Sequence, residues 1–314
     1  MTPRPLPRRS RRSALLLAAT TLALGTATAC EASHAPSAAG SPGAAAPSAA
    51  SSSTAGQAPT AGSDARTVSN NGHRLAFHVT PGHLPAIVLD AGGGQDSSYW
   101  KDLVPALAKE TGSEIITYDR SGLGASAEVA GPWRVDNAVS DLAAVLTAAG
   151  ATHNVVLASH SEAGEIATYF VRSHPGWVAG AVLIDASLPD FYTDGEIDRV
   201  VAANKDQIAA LASRPSTPQT RQLLAVAQDY AAMHHAYHQV SWPQDLPAIV
   251  IASAKTPFET SEQDAQLWRD AQAAFAHAAP DRRLVVADNS SHDIPLDRPD
   301  IVIRSIHDML AKTG

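Results

Sequence analysis

Asn154-Val-Val-Leu-Ala-Ser-His-Ser-Glu-Ala-Gly164 is the stretch that decides how this chain is read. An apolar run of strand length, Asn154 to Ala158, passes almost directly into a helical pattern, Glu162 to Ser173, with Ser161 at the join. A serine on so tight a strand-to-helix turn is held in a strained backbone conformation. That geometry requires small residues two before and two after it, here Ser159 and Ala163. The helix that begins there offers backbone N–H groups and the positive end of its dipole to a developing oxyanion. The alternative is a serine-rich strand end that caps a helix.

On either side of this segment, short apolar strands alternate with longer helical patterns, which implies a mostly parallel sheet covered by helices. The expected strands are Leu75 to Val79, Ala86 to Leu89, Glu114 to Tyr118, Asn154 to Ala158, Ala181 to Ile184, Ala248 to Ile251 and Leu284 to Val286. The expected helices are Trp100 to Thr111, Asp136 to Ala149, Glu162 to Ser173, Asp264 to Ala278 and Pro299 to Ala311; in the last, Ile303, Ile306 and Leu310 mark a core-facing stripe. From about Leu188 to Gln244 the rhythm breaks into helical patterning where a short crossover would suffice. That stretch reads as an inserted cap over the carboxyl edge of the sheet. Phe191, Tyr192, Tyr230, Met233, Tyr237 and Trp242 within it are available either to line an acyl pocket or to pack the cap onto the core.

The elbow Ser-His-Ser-Glu-Ala-Gly at Ser159 to Gly164 resembles the G-x-S-x-G elbow of the α/β-hydrolase superfamily, with small residues in place of both glycines. Asp90-Ala-Gly-Gly-Gly-Gln95 stands where that family has its His-Gly-x oxyanion loop, and Asp119-Arg-Ser-Gly-Leu-Gly-Ala-Ser126 resembles its D-x-R-G-x-G-x-S turn, a structural marker. The resemblance implies an α/β-hydrolase fold over residues 65–314, a mostly parallel central sheet flanked by helices with the cap at about 188–244. It implies Ser161 as nucleophile, with the N–H groups of Gly93 and Glu162 as the oxyanion hole. It also implies a catalytic base late in the chain, which His292 supplies in the loop Asp288-Asn-Ser-Ser-His-Asp-Ile-Pro295. His160 adjoins the nucleophile, His307 lies within the last helix, and His234 and His238 share an i, i+4 spacing without an evident third metal ligand.

The acid is the unusual member. Its usual place follows the strand Ala248 to Ile251, where this chain has Ala252-Ser-Ala-Lys-Thr256-Pro257 and Thr256 occupies the aspartate's position. Some members of the superfamily carry the acid one strand earlier, where this chain has Asp185, closing the apolar strand Ala181 to Ile184. An aspartate there needs a partner, which an imidazole N–H provides. Glu259 and Asp264 are the other candidates, and Asp185 as a plain strand-end cap is the bland reading. The order Ser161, Asp185, His292 is that of the superfamily. The resulting expectation is a serine hydrolase acting on an ester or related acyl bond, needing neither metal nor organic cofactor. Two alternatives stay open: an aminopeptidase-like amidase, in which Glu162 recognises a substrate amine, and a binding lipoprotein that kept the scaffold without turnover.

The amino-terminal part belongs to a different class of sequence. Arg4, Arg8, Arg9, Arg11 and Arg12 precede the apolar run Ala14 to Leu24, as in a secretory signal over residues 1–30. Ser10-Arg-Arg-Ser-Ala-Leu-Leu16 resembles a twin-arginine motif, and ordinary signals carry arginine clusters too. Ala27-Thr28-Ala29 leads into Cys30, the chain's one cysteine, in a pattern similar to a bacterial lipobox; the alternative is ordinary cleavage that leaves Cys30 a free thiol. Residues 31–64 are nearly all Ala, Ser, Pro, Gly and Thr, a linker that as a flexible coil would reach on the order of 30 Å. The expected location is therefore outside the cell membrane, lipid-anchored or secreted, with membrane contact only through the amino-terminal anchor. Removing the five arginines of the signal changes the formal charge from -8 to -13, which argues against nucleic acid as a partner and leaves a small ester or acyl substrate.

Overall fold

A computed structural model describes residues 64–314; the signal, Cys30 and residues 31–63 of the linker lie outside them. Among the described residues eight strands form one sheet in the order β1-β2-β4-β3-β5-β6-β7-β8. β1 (Asp64–Asn70) and β2 (His73–Thr80) pair antiparallel, β2 pairs antiparallel with β4 (Ser113–Tyr118), and the remaining pairings are parallel. β3 (His83–Asp90) and β5 (Val155–His160) sit at the centre, followed outward by β6 (Val178–Ile184), β7 (Ala248–Ser253) and β8 (Arg282–Ala287). This is the α/β-hydrolase fold expected from the elbow.

The period of two along each central strand sends alternate side chains to opposite faces. Val155 and Leu157 face a core shared with α2 (Val135–Ala149) and α3 (Ala163–Ser173), through Leu142, Leu146, Ile166 and Phe170. Val156 and Ala158 face the other core, shared with α1 (Leu103–Thr111) and α9 (Pro299–Thr313). The α9 stripe is rotated from the expected one. Val302, Ile306 and Met309 are fully buried, while Ile303 and Leu310 are half-buried at its margin.

Between β6 and β7 the chain forms a 3-10 turn (Pro189–Phe191) and the helices α4 (Asp194–Ala212), α5 (Pro218–Gln228) and α6 (Tyr230–His238). α7 (Glu262–His277) precedes β8, and the short α8 (Ile294–Asp297) precedes α9. Phe191, Tyr192, Tyr230 and Tyr237 pack with Phe258 and Trp268 in a third apolar cluster, so these aromatic residues serve as packing. β1 has no counterpart in the sequence reading. Its strand Asp-Ala-Arg-Thr-Val-Ser-Asn carries one large apolar residue and is held by backbone pairing with β2 and by Asn70, whose amide donates to Asp141 on α2 at 2.7 Å.

The order of strands reverses beside β3: the chain goes from β3 to β4 on one side and returns to β5 on the other. A parallel sheet opens a crevice at the carboxyl ends of its strands at such a switch point. The ends of β3, β5, β6 and β8 are where Gly93, Ser161, Asp185 and His292 fall.

Candidate active site

Ser161 leaves β5 with φ +54°, in the left-handed region, and its carbonyl accepts from the N–H of Gly164 at 2.9 Å as α3 starts. The flanking small residues Ser159 and Ala163 are both buried. Gly164 is more tightly bound still, because a Cβ on it would lie 2.6 Å from the Ala186 Cβ and 2.8 Å from the Ser187 carbonyl oxygen. The strain at Ser161 thus persists because the surrounding packing over-determines it.

Asp185 leaves β6 with φ +41° and is entirely buried. Its Oδ1 accepts from the Ser253 N–H at 3.1 Å and from Trp268 Nε1 at 3.0 Å; its Oδ2 accepts from the Ser253 hydroxyl at 2.7 Å and from His292 Nδ1 at 2.6 Å. Burial alone would raise this carboxyl's pKa. The hydrogen bonds from His292, Ser253 and Trp268, with the charge of His292, outweigh burial and hold it below the usual range, so the group is a carboxylate. A carboxylate can only accept, so His292 Nδ1 carries the ring proton and Nε2 presents its lone pair. Nε2 lies 2.9 Å from the Ser161 hydroxyl.

The three residues expected at the site therefore stand in one hydrogen-bonded line. Asp264 and Glu259 stand apart from it. Asp264 is buried against Arg199, whose Nε donates to it at 3.2 Å, and Glu259 is exposed. The Thr256 hydroxyl accepts from the Phe258 N–H at 3.3 Å.

His160 is buried beside the line. Its Nε2 donates to the His292 carbonyl at 3.0 Å, and its ring packs between Tyr99 and His292 at centroid distances of 5.2 and 4.8 Å. Burial first, and then the neighbouring His292, push its pKa down to about 4, so it stays neutral and steadies the loop that carries His292. His234 and His238 turn to other partners: His234 Nδ1 donates to the Tyr230 carbonyl and His238 Nδ1 to that of Pro189. Among the described residues no group of three or more His, Cys, Asp or Glu side chains gathers as metal ligands.

The glycine loop after β3 lies over the nucleophile. A Cβ on Gly92 would be 3.2 Å from the Ser161 Cβ and 3.0 Å from His160 Nδ1, so a larger residue there would have to push its neighbours aside. Gly92 is fixed by the Gln95 side chain, which accepts from its N–H at 3.1 Å, and by Arg120 Nη2, which donates to its carbonyl. No hydrogen bond among the described residues uses the N–H of Gly93 or of Glu162.

The Glu162 side chain is not a solvated helix acid. Its Oε1 lies 3.3 Å from Nη1 of Arg120, a buried guanidinium that also faces Asp90. In sequence Arg120 stands beside Asp119, and the whole Asp119 to Ser126 turn, this arginine included, reads as structural. The available signal was a second charged residue, next to Asp119, just past the end of a buried strand. The rest of that turn is structural, with Asp119 accepting from the N–H groups of Ser97 and Ala125.

A cavity of about 560 Å³ opens beside this region, between the loop from Val129 to Arg134 and α5, with Trp133, Leu224, Gln222 and Arg120 in its walls. None of Ser161, Asp185 and His292 lines it.

A strand-turn-helix serine at the switch point of a parallel sheet, facing a late histidine, defines a protein of the α/β-hydrolase class. Residues 87–305 match the alpha/beta hydrolase family, and the chain belongs to it. It is similar to the uncharacterized protein YqjL of Bacillus subtilis (strain 168), 25% identical over 228 residues that cover 71% of this chain and 82% of the other. Among solved structures it is similar to a thermophilic esterase from Thermogutta terrifontis (TM-score 0.55, 21% identity, 81% of this chain and 99% of that one). It is also similar to a bromoperoxidase from Bacillus anthracis (TM-score 0.60, 16% identity, 80% of this chain and 100% of that one). At these identities the likeness to both structures is one of fold.

Proposed function

We propose that this member of the family is a serine hydrolase that cleaves carboxylic esters through an acyl-enzyme. The observation that carries the reading is the line from Asp185 through His292 to the Ser161 hydroxyl, with contacts of 2.6 and 2.9 Å. In that reading His292 Nε2 takes the hydroxyl proton as Ser161 Oγ bonds to the acyl carbon. The carbonyl electron pair moves onto oxygen, where the N–H groups of Gly93 and Glu162 stabilise it. Collapse expels the alcohol, which leaves with the proton from His292. A water molecule, deprotonated by the same nitrogen, then attacks the acyl-enzyme and releases the acid. Asp185 holds the imidazole in the required tautomer and balances its charge when it is doubly protonated.

Labelling with a fluorophosphonate tests this. A single covalent adduct on the wild-type domain, absent from Ser161→Ala, is expected together with Ser161-dependent release of p-nitrophenol from short-chain esters. No adduct at Ser161 would return the protein to a binding role on a hydrolase scaffold. The Arg120 cation already occupies the Glu162 carboxylate, which weighs against recognition of a substrate amine there. An aminoacyl arylamide-to-ester rate ratio that stays constant in Glu162→Gln is therefore expected. We further propose that the chain is exported and anchored through lipidated Cys30, supported by the small residues before it and the linker after it. Cys30→Ser would then move the protein from the membrane fraction to the soluble fraction.

A further inference from the structure

Arg120 lies two residues after β4 and is 4% exposed, and the proton-transfer steps above do not use it. Its guanidinium reaches two segments at once. Nη2 donates to the Gly92 carbonyl, and Nη1 lies 3.3 Å from Glu162 Oε1 and 3.9 Å from Asp90 Oδ1. The Gly92–Gly93 peptide is trans, so its carbonyl and the Gly93 N–H point in opposite directions within one plane. The Gly92 oxygen also accepts from the Gln95 N–H at 3.2 Å, so Arg120 and that turn together fix where the Gly93 N–H points. The second N–H belongs to Glu162, whose own carboxylate pairs with the same cation by charge, without a hydrogen bond between Nη1 and Oε1. Both N–H groups lack a partner among the described residues, and Gly92 runs against the Ser161 Cβ.

We propose that Arg120 is a positioning residue that ties together, through one planar side chain, the two segments whose N–H groups stabilise the oxyanion. The inference rests on the hydrolase reading above. A planar guanidinium can aim one N–H at the Gly92 carbonyl while its delocalised charge faces Glu162, whereas an ammonium acts as a single point charge. Loss of the clamp misaims donors that matter only once the carbonyl oxygen has become an oxyanion. The loss should then fall on kcat and spare ground-state binding.

The test compares wild type, Arg120→Lys and Glu162→Gln. Arg120→Lys keeps the charge that balances Asp90 and Glu162, and Glu162→Gln releases one of the two tethers. Three quantities are measured: kcat and KM on p-nitrophenyl butyrate, and the inhibition constant of an alkyl trifluoromethyl ketone, which forms an oxyanion on Ser161. For Arg120→Lys the expected result is a fall in kcat of about 10- to 100-fold with KM within threefold, and a matching loss of ketone affinity. For Glu162→Gln the same pattern is expected at several-fold. A purely structural arginine would instead lower the folded fraction and leave the kcat and ketone affinity of the folded enzyme unchanged.

Unchanged kcat and ketone affinity in both variants overturns the inference, as does that result in Glu162→Gln alone when Arg120→Lys does not fold. A wild-type enzyme without Ser161-dependent turnover overturns the hydrolase reading itself, and this inference with it.

Discussion

Two aspartates close two strands of the same sheet, and their surroundings drive them in opposite directions. Asp90 ends β3 and Asp185 follows β6, and both are buried. Asp90 accepts one hydrogen bond, from the Tyr118 hydroxyl at 2.8 Å, and its nearest cation, Arg120, is 3.9 Å away. Burial dominates there and raises its pKa to about 6, against the lowering effects of Arg120 and Tyr118. Asp185 is buried just as deeply but accepts from Ser253, Trp268 and His292, and its pKa is lowered. The number and direction of donors, more than depth, decide which buried carboxyl is reliably charged at neutral pH. Only the second of these can hold an imidazole in the tautomer that the proposed chemistry needs.

Predictions follow from this contrast in order of size. Ser161→Ala should abolish ester turnover, a loss on the order of 10⁶-fold in kcat. Asp185→Asn should cost about 10⁴-fold, because the amide no longer stabilises the protonated ring and invites the wrong tautomer. Trp268→Phe removes one donor to Asp185 Oδ1 and shrinks a buried indole to a phenyl, and should lower stability by about 2–4 kcal/mol in urea titration and kcat several-fold.

Asp90→Asn should leave kcat within a few-fold and show itself in the pH dependence of stability. A raised native pKa means that Asp90 contributes stability below the unfolded value near 4 and loses it as pH rises towards 6. The stability of Asp90→Asn relative to wild type should therefore improve between pH 4 and 6, by up to roughly 3 kcal/mol, and then level off. Asp185 has the opposite sign: its contribution is present above pH 4 and is lost as pH falls through its lowered pKa. Denaturant midpoints of the two Asn variants across pH 3 to 7 would separate the two behaviours.

The sequence disclosed those parts that leave a local pattern. The strand-turn-helix at Ser161 combined a buried strand, small flanking residues and a helix start within eleven positions. The loop at His292 was placed by its position between the last strand and the last helix and by its resemblance to the family's histidine loop. Asp185 could be reached only by noticing that Thr256 stands where an acid is usual. Its supporting donors, Ser253 on β7 and Trp268 on α7, come from elements brought together by tertiary packing and have no sequence signature. β1 escaped notice because an edge strand can be held by backbone pairing without alternating apolar residues. Arg120 reads in sequence only as part of a structural turn, because its partners, Gly92 and Glu162, follow two other strands, and its spacing from them carries no periodicity.

The most direct test of the account compares kcat on p-nitrophenyl butyrate for Asp185→Asn, Glu259→Gln and Asp264→Asn, each normalised to folded protein. The account predicts a fall of about 10⁴-fold for Asp185→Asn and values within a few-fold of wild type for the other two. Near wild-type turnover in Asp185→Asn, with collapse in either of the others, would contradict it.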